Sequence, residues 1–136
     1  MGTDMLVVHV STERRTQLLD ITAQVQKVIA ATAGDVVTVF VPHTTAGIVL
    51  QATGDDATMV AADLESALDR IVDESWDWQH TSEGDRNPWS HVRAALTASS
   101  VTIPMVEGGL ALGDRQALFL CEFDGPRTRE VRVVVH

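Results

Sequence analysis

The stretch VVTVFVPHTTAGIVL, residues 36–50, consists of two apolar runs broken by Pro42-His43-Thr44-Thr45. β-branched residues dominate both runs, so each reads as a buried strand. The polar tripeptide His43-Thr44-Thr45 then falls where one strand hands over to the next. Side chains at strand ends are held rigidly and still face solvent, a suitable mount for a site. The same tripeptide also reads as a turn whose hydroxyls satisfy backbone groups.

Upstream, Met5–Val10 is a first strand with Leu6, Val8 and Val10 on one face and Val7 and His9 on the other. His9 is expected to be a packed or half-exposed strand residue. Asp20 is placed to cap a helix running to about Ala31, in which Ile21, Val25, Val28 and Ile29 form the buried stripe; Gly34 is its stop. Downstream, Gly54-Asp55-Asp56 opens a second helix to about Val72. Val60, Leu64, Leu68 and Ile71 line its apolar face, and Asp63, Glu65, Asp69 and Arg70 form a solvated one. Residues 73–89 read as a long loop, and Trp76, Trp78 and Trp89 argue against disorder there. Asn87-Pro88, a cap followed by a first-turn proline, starts a third helix with Val92, Ala95 and Leu96 inward. His91 lies in its first turn, where free N–H groups favour anions.

The remainder is β. Val101–Val106 carries Pro104, the mark of an edge strand or an irregularity. A turn at Glu107-Gly108-Gly109 leads back into Leu110–Leu112. Gln116–Phe123 and Glu130–Val135 are the last strands, separated by a turn at Asp124-Gly125-Pro126. The order predicts an α+β fold, a mixed β-sheet with packed helices, and not a regular βαβ repeat. A chain of 136 residues fits one domain, residues 1–136.

Net charge is −9, from 10 Lys+Arg against 19 Asp+Glu, which gives no electrostatic footprint for nucleic acid or an anionic membrane. A small anionic ligand stays open, because a few arginines or a metal ion reverse the local field. No apolar run approaches the ~18 residues of a membrane helix, and no secretory signal is evident. The single cysteine, Cys121, rules out an internal disulfide, so the cytoplasm is the default compartment.

Apart from His9 and His136, the histidines are His43, His80 and His91, each at an element boundary or in the tryptophan-bearing loop. Three neutral imidazoles converging on one point bind a metal and leave a coordination position open. Their spacing matches no short metal motif, and structural histidines are the equal alternative. Glu122 shares a strand face with Leu118 and Leu120, so it is expected to be buried beside a cation, a metal or a histidine N–H. An ion pair with Arg127 or Arg129 is the competing expectation. Cys121 points the other way, with Phe119 and Phe123, and reads as core. Arg127 and Arg129 follow a turn closely; they either clamp a phosphate or carboxylate or are solvated. Asn87, Ser90 and Glu83 surround His91 in sequence and either orient it or bind ligand, with Asn87 first of all a helix cap.

Three segments taken together resemble the YjbQ family (UPF0047): Pro42-His43-Thr44-Thr45-Ala46-Gly47, then His80 with Glu83-Gly84 and Ser90-His91, then Leu120-Cys121-Glu122-Phe123-Asp124-Gly125-Pro126-Arg127. The match is collinear from about Asp35 to Val135. The resemblance implies a compact α+β subunit, a homotrimer, and a site near the subunit boundary. It implies His43, His91 and Glu122 as catalytic residues, and His43, His80 and His91 as ligands of a divalent metal, zinc or magnesium. Thr44, Thr45, Ser90 and Arg127 are the further candidate contacts. The implied activity is a weak thiamine-phosphate synthase, joining a hydroxymethylpyrimidine diphosphate to a thiazole phosphate with release of pyrophosphate. A metal-dependent phosphate-ester hydrolase and a non-catalytic trimer binding a metal or anion are the alternatives. The sequence departs from the family pattern at Gln51-Ala52-Thr53, where Asn-Glu-Asn is usual, and at Asp114-Arg115-Gln116, where Thr-Trp-Gln is usual. Fold and trimer therefore transfer from the resemblance better than catalysis does.

Overall fold

The computed structural model describes residues 4–55, 57–81 and 87–136. In chain order its elements are β1 (Met5–Ser11), β2 (Gln17–Asp20), α1 (Thr22–Ile29), β3 (Val36–Phe40), β4 (Ala46–Ala52), α2 (Ala57–Ile71), α3 (Pro88–Ala95), β5 (Ser100–Val106), β6 (Gly109–Leu110), β7 (Gln116–Glu122) and β8 (Thr128–Val135). The α+β class holds. Pairing is antiparallel throughout, in one sheet of order β1-β8-β3-β5-β6 and another of order β2-β7-β4. The two runs of residues 36–50 are both strands, but they lie in different sheets. Residues 41–45 are thus a crossover between sheets, and this is what sets His43 at a boundary.

The main core fills the space between the sheets. Val37 and Val39 of β3 and Val131, Val133 and Val135 of β8 join Ile48, Leu118 and Leu120 of the second sheet, with Ile21, Val25 and Ile29 added by α1. The other face of β7 forms a second cluster, in which Ala117, Phe119, Cys121 and Phe123 meet Ala61, Leu64 and Leu68 of α2 and Ala94 of α3. Strand β7 is therefore covered on both faces, which explains its unbroken apolar run.

Three helix expectations need correction. Residues 17–20 form a strand paired with β7, and Ile21 takes the N-cap position of α1; the Asp20 carboxylate still accepts the Thr22 N–H at 3.0 Å. In α2, Ile71 is exposed and Val72 buried, and Glu65 is half-buried instead of lying on a solvated face. Its carboxylate accepts the Leu18 N–H at 2.7 Å and pairs with Arg14 at 3.1 Å. In α3, Val92, Ala95 and Leu96 face outward, while Ser90 and Arg93 are buried. The Arg93 guanidinium donates to the carbonyls of Val72 (2.7 Å) and Asp69 (3.1 Å) and pairs with the Asp69 carboxylate (3.2 Å). Carbonyls at a helix C-terminus lack intrahelical donors, so a buried arginine there satisfies groups that an apolar side chain leaves bare.

The turn after β5 is as expected: Glu107 and Gly108 both have positive φ, 52° and 78°, the pair that a tight two-residue hairpin needs. Among the described residues no helix is long and apolar enough to cross a membrane.

Candidate functional site

Glu122 ends β7 with its side chain turned inward, and it is fully buried. Arg129 of β8 occupies the inward phase shared with Val131 and Val133, and is 4 % exposed. The two meet across the gap between the sheets and close one end of the core. Arg129 Nε donates to Glu122 Oε1 at 2.8 Å, and its Nη2 donates to Oε2. Thr12 Oγ1 adds a bond to Oε1 at 2.8 Å, and the N–H groups of Phe123 and Asp124 each donate to Oε2 at 3.0 Å. A carboxylate has about four acceptor positions, so this one is saturated. Of the two expectations for Glu122, the ion pair with Arg129 is the one found. Glu122 is thus engaged on both oxygens within the core and does not line the pocket formed by His43, His91 and Arg127. Arg129 Nη2 also donates to Thr45 Oγ1 at 2.8 Å, so Thr45 is buried and fixes the end of the crossover.

His43 meets the backbone of β8 where the pairing of β3 with β8 ends. The β3–β8 register pairs Phe40 with Arg132, and continuing it sets Pro42 opposite Glu130. Proline has no N–H to offer there. The imidazole of His43 meets the Glu130 backbone just beyond it: the Glu130 N–H donates to Nε2 at 3.0 Å, and the Glu130 carbonyl lies 3.2 Å from the same nitrogen. The shorter contact assigns Nε2 as acceptor, so the neutral ring carries its proton on Nδ1. Burial, and then the charge of Arg129, hold the His43 pKa below its ordinary value of 6.5. Below pH 6.5 the unfolded chain takes up this proton before the folded one does, so acidification through that range removes stability. His43→Asn is expected to flatten that part of the curve. Urea midpoints of both proteins between about pH 7.5 and 5.5 check it, and identical pH dependence would refute the assignment.

Asn87 takes the N-cap position of α3, yet its side chain makes no capping bond. It donates from Nδ2 to Asp124 Oδ2 at 2.8 Å, and its Oδ1 lies 3.1 Å from His80 Nε2. Arg127 donates from Nη2 to the same Asp124 oxygen at 2.6 Å and from Nε to the Asp124 carbonyl at 2.8 Å. A hydrogen-bonded chain therefore runs His80–Asn87–Asp124–Arg127. The rings of His80 and His91 meet edge to face, with centroids 5.3 Å apart. His43, Thr44, Thr45, His91, Arg127 and Arg129 line a pocket of about 330 Å³. His80 is outside it and lines an adjoining cleft with His91.

Ser90 does not reach the pocket. It is fully buried and donates its hydroxyl to the Phe123 carbonyl at 2.6 Å, tying α3 to the end of β7. Glu83 lies outside the described residues. A resident metal needs three or four donors about 2 Å from one point. Among the described residues no group of three His, Cys, Asp or Glu is so arranged. His43 Nε2 and Glu122 are already engaged, so the donors among the described residues are not arranged as a three-histidine metal centre. Burial pushes the Cys121 thiol up to about 12, as befits a core residue and not a nucleophile.

The family model described as "UPF0047 protein YjbQ-like" matches residues 7–136. The chain belongs to this family. A UPF0047 protein of Methanothermobacter thermautotrophicus is 35 % identical over 126 residues, covering 91 % of this chain and 85 % of the relative. The UPF0047 protein YugU of Bacillus subtilis is 32 % identical, covering 89 % of this chain and 90 % of YugU. A crystal structure of a protein of unknown function from Sulfolobus solfataricus superposes with a TM-score of 0.88 at 29 % identity, covering 98 % of this chain and 96 % of that one.

In this UPF0047 chain the departures from the family pattern gather at the far end of β4 and β7. Ala52 pairs with Gln116, and the Thr53 N–H donates to the Arg115 carbonyl at 2.9 Å, whereas Ala46 pairs with Glu122 beside the pocket. Six residues of strand separate the two ends, roughly 20 Å. Ala52, Thr53 and Arg115 of this chain therefore do not line the His43 pocket. Reading the sequence missed Asp124 and the bridging role of Asn87. Arg129 had a usable signal, since it keeps the two-residue phase of Val131, Val133 and Val135.

Proposed function

We propose that this UPF0047 protein binds a small phosphorylated molecule in the pocket between the residue 41–45 crossover, the start of α3 and the β7–β8 turn. The observation that supports it is that Arg127, His43 and Thr44 line one pocket. The bonds to Asp124 use two of the five N–H donors of Arg127, and the rest are available to phosphate oxygens. The reaction that suits such a pocket, given the family resemblance, is weak thiamine-phosphate synthesis. There the leaving diphosphate must be held while its charge develops, and preorganised donors supply that. A divalent ion, magnesium or zinc, belongs to this reading as a companion of the substrate's phosphates and not as a resident of the three histidines.

A second reading is a non-catalytic anion-binding protein, and the saturation of Glu122 favours it, because that carboxylate cannot serve as base. Hydrolysis of phosphate esters by metal-bound water has less support, for want of a three-donor cluster among the described residues. A homotrimer is part of the proposal and is read by sedimentation.

The test is thiamine phosphate formation from the two purified precursors, with and without magnesium or zinc, beside phosphate release from simple esters. Turnover that falls roughly 100-fold in Arg127→Ala supports the synthase. Tight phosphate binding without turnover selects the binding protein. Ester hydrolysis without synthesis selects the hydrolase, and failure to bind any phosphate overturns the pocket itself.

A further inference from the structure

We infer that Asp124 makes the pocket selective for oxyanions that carry a proton. Phosphate groups bind in their singly charged, protonated form, and unprotonated dianions of the same shape are rejected. The inference rests on the phosphate reading of the pocket and adds the form of the anion, which that reading leaves open.

Asp124 lines the pocket with His43, His91 and Arg127, and its side chain is 20 % exposed. A carboxylate is out of place in an anion pocket if net charge alone selects the ligand. The hydrogen bonds give it a use. Arg127 Nη2 and Asn87 Nδ2 both donate to Oδ2, at 2.6 and 2.8 Å. Oδ1 receives no donor among the described residues. An ionised carboxylate only accepts, so the group that suits Oδ1 is an O–H brought by the ligand. The carboxylate is also fixed in place. The Asp124 N–H donates to Glu122 Oε2 at 3.0 Å, and the Asp124 carbonyl accepts from Arg127 Nε at 2.8 Å. Asn87, which holds Oδ2 from the other side, is buried.

The charges point the same way. Arg127 is paired with Asp124 and Arg129 with Glu122, so the two arginines lining the pocket bring no excess positive charge. A dianion finds no matching charge there, and its contact with Oδ1 sets acceptor against acceptor. A phosphate group that keeps one proton carries a single charge and turns that contact into a charge-assisted O–H···O⁻ bond. The N–H groups of Arg127 not bound to Asp124 serve its other oxygens. Selectivity of this kind comes as much from the penalty on the wrong ligand as from contact with the right one.

Calorimetric titration of the intact protein with inorganic phosphate, sulfate and monofluorophosphate tests this. At about pH 6 phosphate is mostly the protonated monoanion, whereas the other two are unprotonated dianions. Phosphate is expected to bind at least about tenfold tighter than either. Asp124→Asn is expected to tighten sulfate about tenfold relative to phosphate, because the amide oxygen keeps the bonds from Arg127 and Asn87 and the NH₂ meets the ligand. If that variant does not fold, the wild-type comparison of the three anions still decides. Equal affinity for all three in the wild type overturns the selectivity and leaves the phosphate pocket standing. If none of them binds, both readings fall. If Asp124→Asn shifts phosphate and sulfate alike, Asp124 acts only through net charge or through Arg127, and the inference is overturned.

Discussion

Glu122→Ala is expected to destabilise the protein by about 3–5 kcal/mol, the usual cost of leaving one member of a buried ion pair without its partner. The carboxylate is fully buried, and the Arg129 guanidinium it meets is 4 % exposed, so the remaining charge has little solvent to turn to. Two backbone N–H groups and the Thr12 hydroxyl lose their acceptor in the same step. Against a typical domain stability of about 5–15 kcal/mol that is a large share, and it corresponds to a fall in melting temperature of roughly 10–20 °C. Replacing both partners together, Glu122→Leu with Arg129→Met, is expected to cost less than the single change, because neither charge is then stranded. Urea unfolding of the single and double variants at pH 7 measures the difference. A catalytic Glu122 would behave otherwise. Glu122→Gln would then keep wild-type stability and lose only turnover, and that outcome would return Glu122 to the reaction.

The contrast between Glu122 and His43 shows how far the sequence could be read. The inward phase of Glu122 was legible from Leu118 and Leu120, because alternation along a strand is a local property. Its partner was legible only as one of two arginines, Arg127 or Arg129, because the choice between them depends on the packing of two sheets. Likewise both runs of residues 36–50 were legible as strands, while their division between two sheets depends on β7 and β8, more than sixty residues away. In α3 the apolar residues Val92, Ala95 and Leu96 pointed to the wrong face. Two turns of helix give a weak period, and the carbonyls ending α2, which Arg93 satisfies, leave no mark in the sequence of α3. The pocket was legible in part at His43, His91 and Arg127, which do line it together. It was illegible at Asn87, whose place before a proline signals a cap and hides a bridge to Asp124.

Gly125→Ala is expected to cost about 3 kcal/mol or more and to weaken phosphate binding at least tenfold. The reason is space and not backbone conformation. A Cβ at this position would stand 2.2 Å from the Arg14 carbonyl oxygen, 2.8 Å from Thr12 Oγ1 and 2.9 Å from Glu122 Cγ. None of these can step aside cheaply. The first is backbone beside Arg15, whose carbonyl accepts the Gly125 N–H at 3.1 Å, and the second is held by Glu122, to which it donates, and by the Arg127 N–H, from which it accepts. The β7–β8 turn must therefore move as a unit, taking Asp124 and Arg127 with it, and overpacking of this kind sits at the upper end of its usual 1–3 kcal/mol range or beyond. Gly113→Ala supplies the control. Its added Cβ meets only the flexible end of Gln116, at 3.3 Å, so a change within about 0.5 kcal/mol and unaltered phosphate affinity are expected. Urea midpoints and calorimetric titration with phosphate read both variants. If Gly125→Ala matched Gly113→Ala in stability and affinity, the turn that carries Arg127 would be free to yield, and the rigid placement on which the phosphate pocket depends would be wrong.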